Sequence, residues 1–188
     1  HFTVFNQKPG YQAIANQKDK RIKGIVVVAK DSEIKSLSQL NNKSLAFPSP
    51  AAFAASVLPR AKMKSDGMEI DPKYVSSHDS VYLNVSKGIF SAGGGVLRTF
   101  NNTTPEVKEK LRVLWTTPGY TPHAIASKPN LDAATLEKIK QALIGMNTDP
   151  EGKKLLKAIN FKGLQAANNS DWDDVRALNI TLLDHLLK

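Results

Sequence analysis

The 188-residue chain contains no cysteine. That absence excludes disulfides, thiolate metal sites and cysteine nucleophiles. It leaves the compartment open, because oxidising compartments permit disulfides without requiring them. No apolar run approaches the roughly 20 residues that a membrane-spanning helix needs. The four histidines, His1, His78, His123 and His185, lack any metal-ligand spacing. No paired carboxylates stand at positions that would indicate glycoside chemistry. No metal, no cofactor and no catalytic residue is therefore expected. A charged-then-apolar leader is also missing, and with His1 at its start the chain reads as a processed or truncated product.

What is present is enough for a folded core, since hydrophobic residues make up 41% of the chain. The 26 Lys and Arg outnumber the 17 Asp and Glu, giving a net charge of +9. Such a balance is compatible with nucleic acid, anionic lipid or a small anion as partner. The basic residues are dispersed, however, with acids among most of them. The densest cluster, Lys18-Asp19-Lys20-Arg21-Ile22-Lys23, has no interleaved aromatic residue. It reads as a solvated face, and nucleic acid is not expected as a partner.

Gly24 is followed by Ile25-Val26-Val27-Val28-Ala29, a continuous β-branched run of the kind that forms a strand buried on both faces in a parallel sheet. Further strands are expected at Lys43–Phe47, Lys73–Ser76, Ile89–Ala92, Leu111–Trp115 and His123–Ala126. Helical segments are expected at Ser36–Leu40, Ala51–Lys64, Asp79–Lys87, from about Val96, and from Thr104-Pro105-Glu106. Pro59 should kink or divide the second of these. The last third reads as helical: Asp132–Gly145 with Leu136, Ile139, Leu143 and Met146 at three- and four-residue spacing, a helix opened by Asp149-Pro150-Glu151, and a final helix from about Asp171 to Leu187. The alternation of strand and helix indicates an α/β fold with mainly parallel strands.

Three strand-to-helix junctions carry the chemistry. Gly93-Gly94-Gly95 reads either as an anion-receiving loop before a helix or as a tight crossover turn packed against a neighbouring helix. No Lys-Ser/Thr pair follows at P-loop spacing. Ser76-Ser77-His78-Asp79-Ser80 reads either as an oxyanion site or as simple helix capping by Ser77 or Asp79; as a catalytic triad it fails, because adjacent residues point in different directions. Pro48-Ser49-Pro50-Ala51-Ala52-Phe53 is the third junction. In an α/β sheet the carboxyl ends of strands line one edge, and ligands bind there. The link Trp115–His123, with Tyr120, is either an interdomain crossing or a surface loop, and His123 is equally readable as a packed core histidine.

The order Gly24–Ser32, Ile34, Ser36–Leu40, Lys43–Phe47 resembles the phosphate/phosphonate solute-binding proteins of ABC transporters, the phosphonate-binding branch of type II periplasmic binding proteins. The resemblance continues through Leu58-Pro59-Arg60-Ala61, Ser77-His78-Asp79, Leu111–Trp115 and Leu131-Asp132. It implies two α/β lobes that close over a ligand at a hinge, with the opening part of lobe I absent. Residues 1–36 would then be the end of lobe I and the first hinge strand, 37–115 lobe II, and 116–188 the second crossing and the returning helices. The hinge crossings would lie near Val28–Ser32 and Trp115–His123.

By the same resemblance His78 occupies a ligand-binding position, flanked by Ser77 and Asp79. The family's Ser-Thr-Ser-Gly helix start falls on Ala52-Phe53-Ala54-Ala55, next to Ser49. Its acidic position falls in Gly93-Gly94-Gly95-Val96, so Gly94 and Gly95 join the candidates. Tyr11, Tyr120 and His123 complete the set. The implied function is an extracytoplasmic receptor, monomeric, that binds a phosphonate, phosphate or related oxyanion and delivers it to an ABC-transporter permease. The alternatives are the ligand-sensing domain of a membrane signalling protein, an enzyme on this fold, and a nucleic-acid binder.

Overall fold

The computed structural model describes residues 1–181. It divides into two compact units, one formed by His1–Ile22 with Tyr120–Lys188 and the other by Lys23–Gly119. The divisions at 22/23 and 119/120 differ from the 36/37 and 115/116 expected from the sequence. Val28–Ser32, expected at a crossing, lies inside the second unit.

The second unit is built on a five-stranded sheet. Its strands are β2 (Gly24–Ala29), β3 (Lys43–Phe47), β4 (Ile70–Tyr74), β5 (Ala92–Val96) and β6 (Leu111–Thr116), in the order β4-β3-β5-β2-β6. The first strand of the chain, β1 (Gln12–Gln17), belongs to the other unit. Strand β3 is parallel to β4 and β5, whereas β2 is antiparallel to β5 and β6. The sheet is thus mixed, a correction to the mainly parallel arrangement expected. The β-branched run of β2 is buried on both faces as anticipated, but that burial follows from helical cover and not from parallel pairing. Ile25 and Val27 pack on one side with Val81, Tyr82 and Val85. Val26 and Val28 pack on the other with Leu45, Phe47 and Met63. Each such side chain removed from water contributes about 1.5–3 kcal/mol.

The covering helices are α2 (Leu58–Ser65) and α3 (His78–Ser86), while α4 (Leu97–Asn101) and α5 (Pro105–Lys108) follow β5. A π-helical turn at Phe53–Val57 precedes α2. Pro59 explains that division of the expected helix, because it has no N–H to give to the carbonyl of Ala55, its usual acceptor four residues back.

The glycines of β5 correct a second expectation. Gly93, Gly94 and Gly95 lie within the strand and are buried, so they form no loop. A side chain at Gly93 would strike Val81 and Val85 of α3, and one at Gly95 would strike the Tyr82 ring of α3. On the opposite face, a Cβ at Gly94 would collide with the carbonyl of Ala55 and stand 2.7 Å from the Phe47 ring. The run therefore exists because helix and π turn rest directly on the strand. Tyr82 completes the contact, its hydroxyl lying 3.1 Å from the Val96 carbonyl and 2.8 Å from Thr99 Oγ1.

In the first unit β1 is the centre of a three-stranded antiparallel sheet, between β7 (Ala124–Ser127) and β8 (Leu164–Ala166). Helix α1 (Phe2–Gln7) precedes β1. Helices α6 (Ala133–Gly145) and α7 (Pro150–Ala158) are capped by Asp132 and Asp149, whose carboxylates accept from the amides of Thr135 and Gly152 at 2.9 and 2.7 Å. The apolar stripe of α6 is only partly covered: none of its residues is buried, and Ile139 is 39% exposed.

The helix expected from about Asp171 is interrupted within the described residues. A 3-10 turn at Asn169–Trp172 leads into α8 (Asp173–Arg176), and Asn179 then adopts φ of +47°. A left-handed residue just past a helix is a common stop. Residues 177–181 are not helical, and the remainder of the expected helix, to Leu187, lies outside the described residues.

Gly94→Ala is expected to destabilise the second unit by about 2–4 kcal/mol, because backbone and a ring block its Cβ. Gly145→Ala, with nothing within 4 Å of the added Cβ, is expected to be neutral or to stabilise by up to about 1 kcal/mol. Urea titrations of the two variants beside the parent check both.

Candidate functional site

The parallel strands β4, β3 and β5 lie side by side, so their carboxyl ends share one edge of the sheet. Phe47 and Tyr74 are register partners at the ends of β3 and β4. The segments leaving them, Pro48–Ala52 and Val75–Ser77, emerge together there. From β3 the chain crosses by α2 to β4 on one side and returns by α3 to β5 on the other, with the two helices on opposite faces. Such a reversal opens a crevice at the carboxyl edge where α/β proteins receive ligands.

Helix α3 begins at this edge. Ser77 is its cap, with Oγ accepting from the Ser80 amide at 3.0 Å and donating to Ser80 Oγ at 2.9 Å. The amides of His78 and Asp79 belong to the first turn, which has no carbonyl four residues back, and they sit at the positive end of the helix dipole. Ser76, immediately before the cap, has φ of +72°. A left-handed serine carries strain of about 1–2 kcal/mol, a feature that clusters at ligand sites.

His78 is half-buried, and its Nδ1 is buried without a hydrogen-bond partner. Burial lowers its pKa below the ordinary 6.5, and the Asp79 carboxylate opposes that shift only partly. The imidazole is accordingly neutral near pH 7, with one N–H to donate. Of the two readings of Ser77–Asp79, the structure shows the Ser77 cap.

The structure brings Ser49, Ala52 and Phe53 to the same edge as Ser77, His78 and Asp79. Ser49 is exposed, whereas Ala52 and Phe53 are half-buried at the start of the π turn. Gly94 and Gly95 are not available in the manner expected, since their Cα faces are closed by Ala55, Phe47 and Tyr82. Tyr11, Tyr120 and His123 belong to the other unit. There Tyr11 lines an apolar cavity of about 360 Å³ with Phe2, Phe5, Pro9, Ala124 and Ala126. Tyr120 pairs with Ile22 in an isolated bridge, and His123 is exposed beside the start of β7. Ser76 is part of the polar segment read from the sequence, but its left-handed conformation was not, because serine gives no signal for it.

Among the described residues no group of three or more His, Asp or Glu is placed to hold a metal ion, and no helix is long and apolar enough to cross a membrane.

The family described as ABC transporter, phosphonate, periplasmic substrate-binding protein matches residues 1–172. A probable ABC-transporter phosphite-binding protein, PhnD1 of Prochlorococcus marinus, is 23% identical over 193 residues, covering 92% of this chain and 65% of the relative. The chain thus spans just under two thirds of that relative's length. The solved structure of PhnD1 in complex with methylphosphonate superposes with a TM-score of 0.73 at 22% identity, over 92% of this chain and 71% of that one. XAC2383 of Xanthomonas citri, bound to chloride ion, gives a TM-score of 0.85 at 18% identity, over 97% of this chain and 75% of that one. At these identities the structures establish the fold.

The state of His78 generates a pH prediction. In the folded protein it binds a proton less readily than in the unfolded chain, so unfolding takes up protons below the ordinary pKa. Its stabilising contribution is complete above pH 6.5 and is lost as the pH falls through the lowered value. Thermal melts from pH 7.5 to 4.5 should show a steeper loss of Tm in the parent than in His78→Gln. Parallel curves would contradict a neutral, partly desolvated imidazole.

Proposed function

The chain belongs to the family of periplasmic substrate-binding proteins of phosphonate ABC transporters, and from that membership we propose that it forms the larger part of an extracytoplasmic receptor for a small phosphorus oxyanion. The family is one of transporter receptors and not of enzymes. In this reading the ligand is a phosphonate, phosphite or phosphate, and the bound receptor, a monomer, presents it to a membrane permease. The two units act as the two lobes. The observation that carries the proposal is the family match across residues 1–172.

The carboxyl edge of the second unit supplies a chemical basis for it. The first-turn amides of α3 and the neutral His78 N–H are donors, and donors are what oxyanion oxygens require. The exposed Asp79 carboxylate is suited to accept from a protonated oxygen on the ligand. Ser77 holds the turn in shape through Ser80. With Ala52 and Phe53 in place of hydroxyl residues, the start of the π turn offers no side-chain hydroxyl at those two positions. The methylphosphonate held by PhnD1 and the phosphite named for the same relative define the ligands to try first.

A thermal-shift panel of phosphite, methylphosphonate, phosphate, a sulfonate and a carboxylate tests this. A phosphorus oxyanion at about 100 times its Kd should stabilise by about 2.7 kcal/mol, or roughly 5–10 °C for a chain of this size. His78→Ala should weaken binding at least about tenfold, or 1.4 kcal/mol. The absence of any shift across the panel would overturn the proposal.

A further inference from the structure

Strand β5 also ends at the carboxyl edge, and its junction is not used by the site described above. The strand runs parallel to β3 and passes from Val96 directly into α4 at Leu97. With the three glycines inside the strand, the residues that reach the edge are Val96, Leu97 and Arg98. From Ala92 to Thr99 the sequence carries one charged residue, Arg98, and no acid.

Helix α3 holds this junction through Tyr82. The Tyr82 hydroxyl accepts from the Val96 amide at 3.2 Å and lies 2.8 Å from Thr99 Oγ1. Its ring meets that of Phe100 edge-on, with centroids 5.5 Å apart, and both rings are buried. Tyr82 stands four residues after His78, so the two share one face of α3, about 6 Å apart along its axis. The head of α4 is therefore fixed about one helical turn from the imidazole and the first-turn amides.

Arg98 sits at that head and is exposed. Among the described residues, neither a hydrogen bond nor an ion pair engages its guanidinium. Arg60 of α2, by comparison, is held 5.9 Å over the Tyr74 ring. Asp79, in the first turn of α3, is exposed and makes no ion pair with Arg98. A planar guanidinium left open on a firmly held base is suited to receive a carboxylate through paired N–H groups.

We infer that Arg98 is a specificity-determining residue of this edge: the start of α3 receives the phosphorus oxyanion, and Arg98 receives a second anionic group on the same ligand, so that the favoured class is a carboxylate-bearing phosphonate and not an amino-phosphonate. The inference rests on the proposed reading of the edge as an oxyanion site. A carboxylate set one or two methylenes from phosphorus, met by the long Arg98 stem, has the reach for a separation of one helical turn. An ammonium in the same place meets like charge at Arg98, and only Asp79 offers it a counter-charge.

Isothermal titration of the full chain with phosphonoacetate, methylphosphonate and 2-aminoethylphosphonate tests this, with Arg98→Gln and Arg98→Lys beside the parent. The parent should bind phosphonoacetate at least about tenfold more tightly than 2-aminoethylphosphonate. Arg98→Gln should weaken phosphonoacetate at least about tenfold more than methylphosphonate. Arg98→Lys should recover part of that difference, because it keeps the charge and loses the planar fork. An unchanged ratio of phosphonoacetate to methylphosphonate affinity in Arg98→Gln would overturn the inference and leave the oxyanion reading standing. Tighter binding of 2-aminoethylphosphonate by the parent, with Asp79 as its partner, would do the same. Binding of none of the three would overturn both.

Discussion

The second unit depends on how closely its helices approach the sheet. Gly93, Gly94 and Gly95 in β5 remove three consecutive side chains, alternately from the two faces. Gly24 in β2 does the same against the Ala54 carbonyl. Helix α3 can then lay Val81, Tyr82 and Val85 on one face, and the π turn can lay its carbonyl edge on the other. With both elements seated this low, their amino-terminal ends stand over the carboxyl edge of the sheet. The position of Ser77 and His78 is therefore a consequence of glycine packing several residues away, and not only of the polar residues at the edge.

The seating also accounts for the two local irregularities. Pro59 forbids an ordinary helical hydrogen bond to Ala55, and the chain answers with a π turn whose Ala55 carbonyl faces Gly94. Ser76 takes a left-handed conformation so that the chain can leave β4 and enter α3 directly. Each departs from the preferred local geometry, and each lies at the edge where the candidate ligand residues gather.

Much of this was legible before the structure. The strand at Ile25–Ala29, the Ser77 cap, and the helices opened by Asp132 and Asp149 all carry strong local signals: a β-branched run, capping residues and, at Pro150, proline at the first helical position. Strand β1, read as Gln-Ala-Ile-Ala-Asn-Gln, has no such signal, and it is a strand because β7 and β8 pair with both its edges. The glycine run misled for a related reason. Glycine is most often punctuation, and its use inside a buried strand is visible only when the partner across the gap is known. The family itself was legible from motif order, whereas the assignment of Tyr11 and His123 to the other unit was not.

The central claim is that an oxyanion is received at the carboxyl edge of β3, β4 and β5. Amide chemical-shift mapping of the full chain during titration with methylphosphonate tests it most directly. The account predicts that the largest perturbations fall on residues 76–80, with smaller ones at residues 49–54. Binding that instead perturbs the cavity around Phe2, Phe5 and Tyr11, and leaves the start of α3 unmoved, would contradict it.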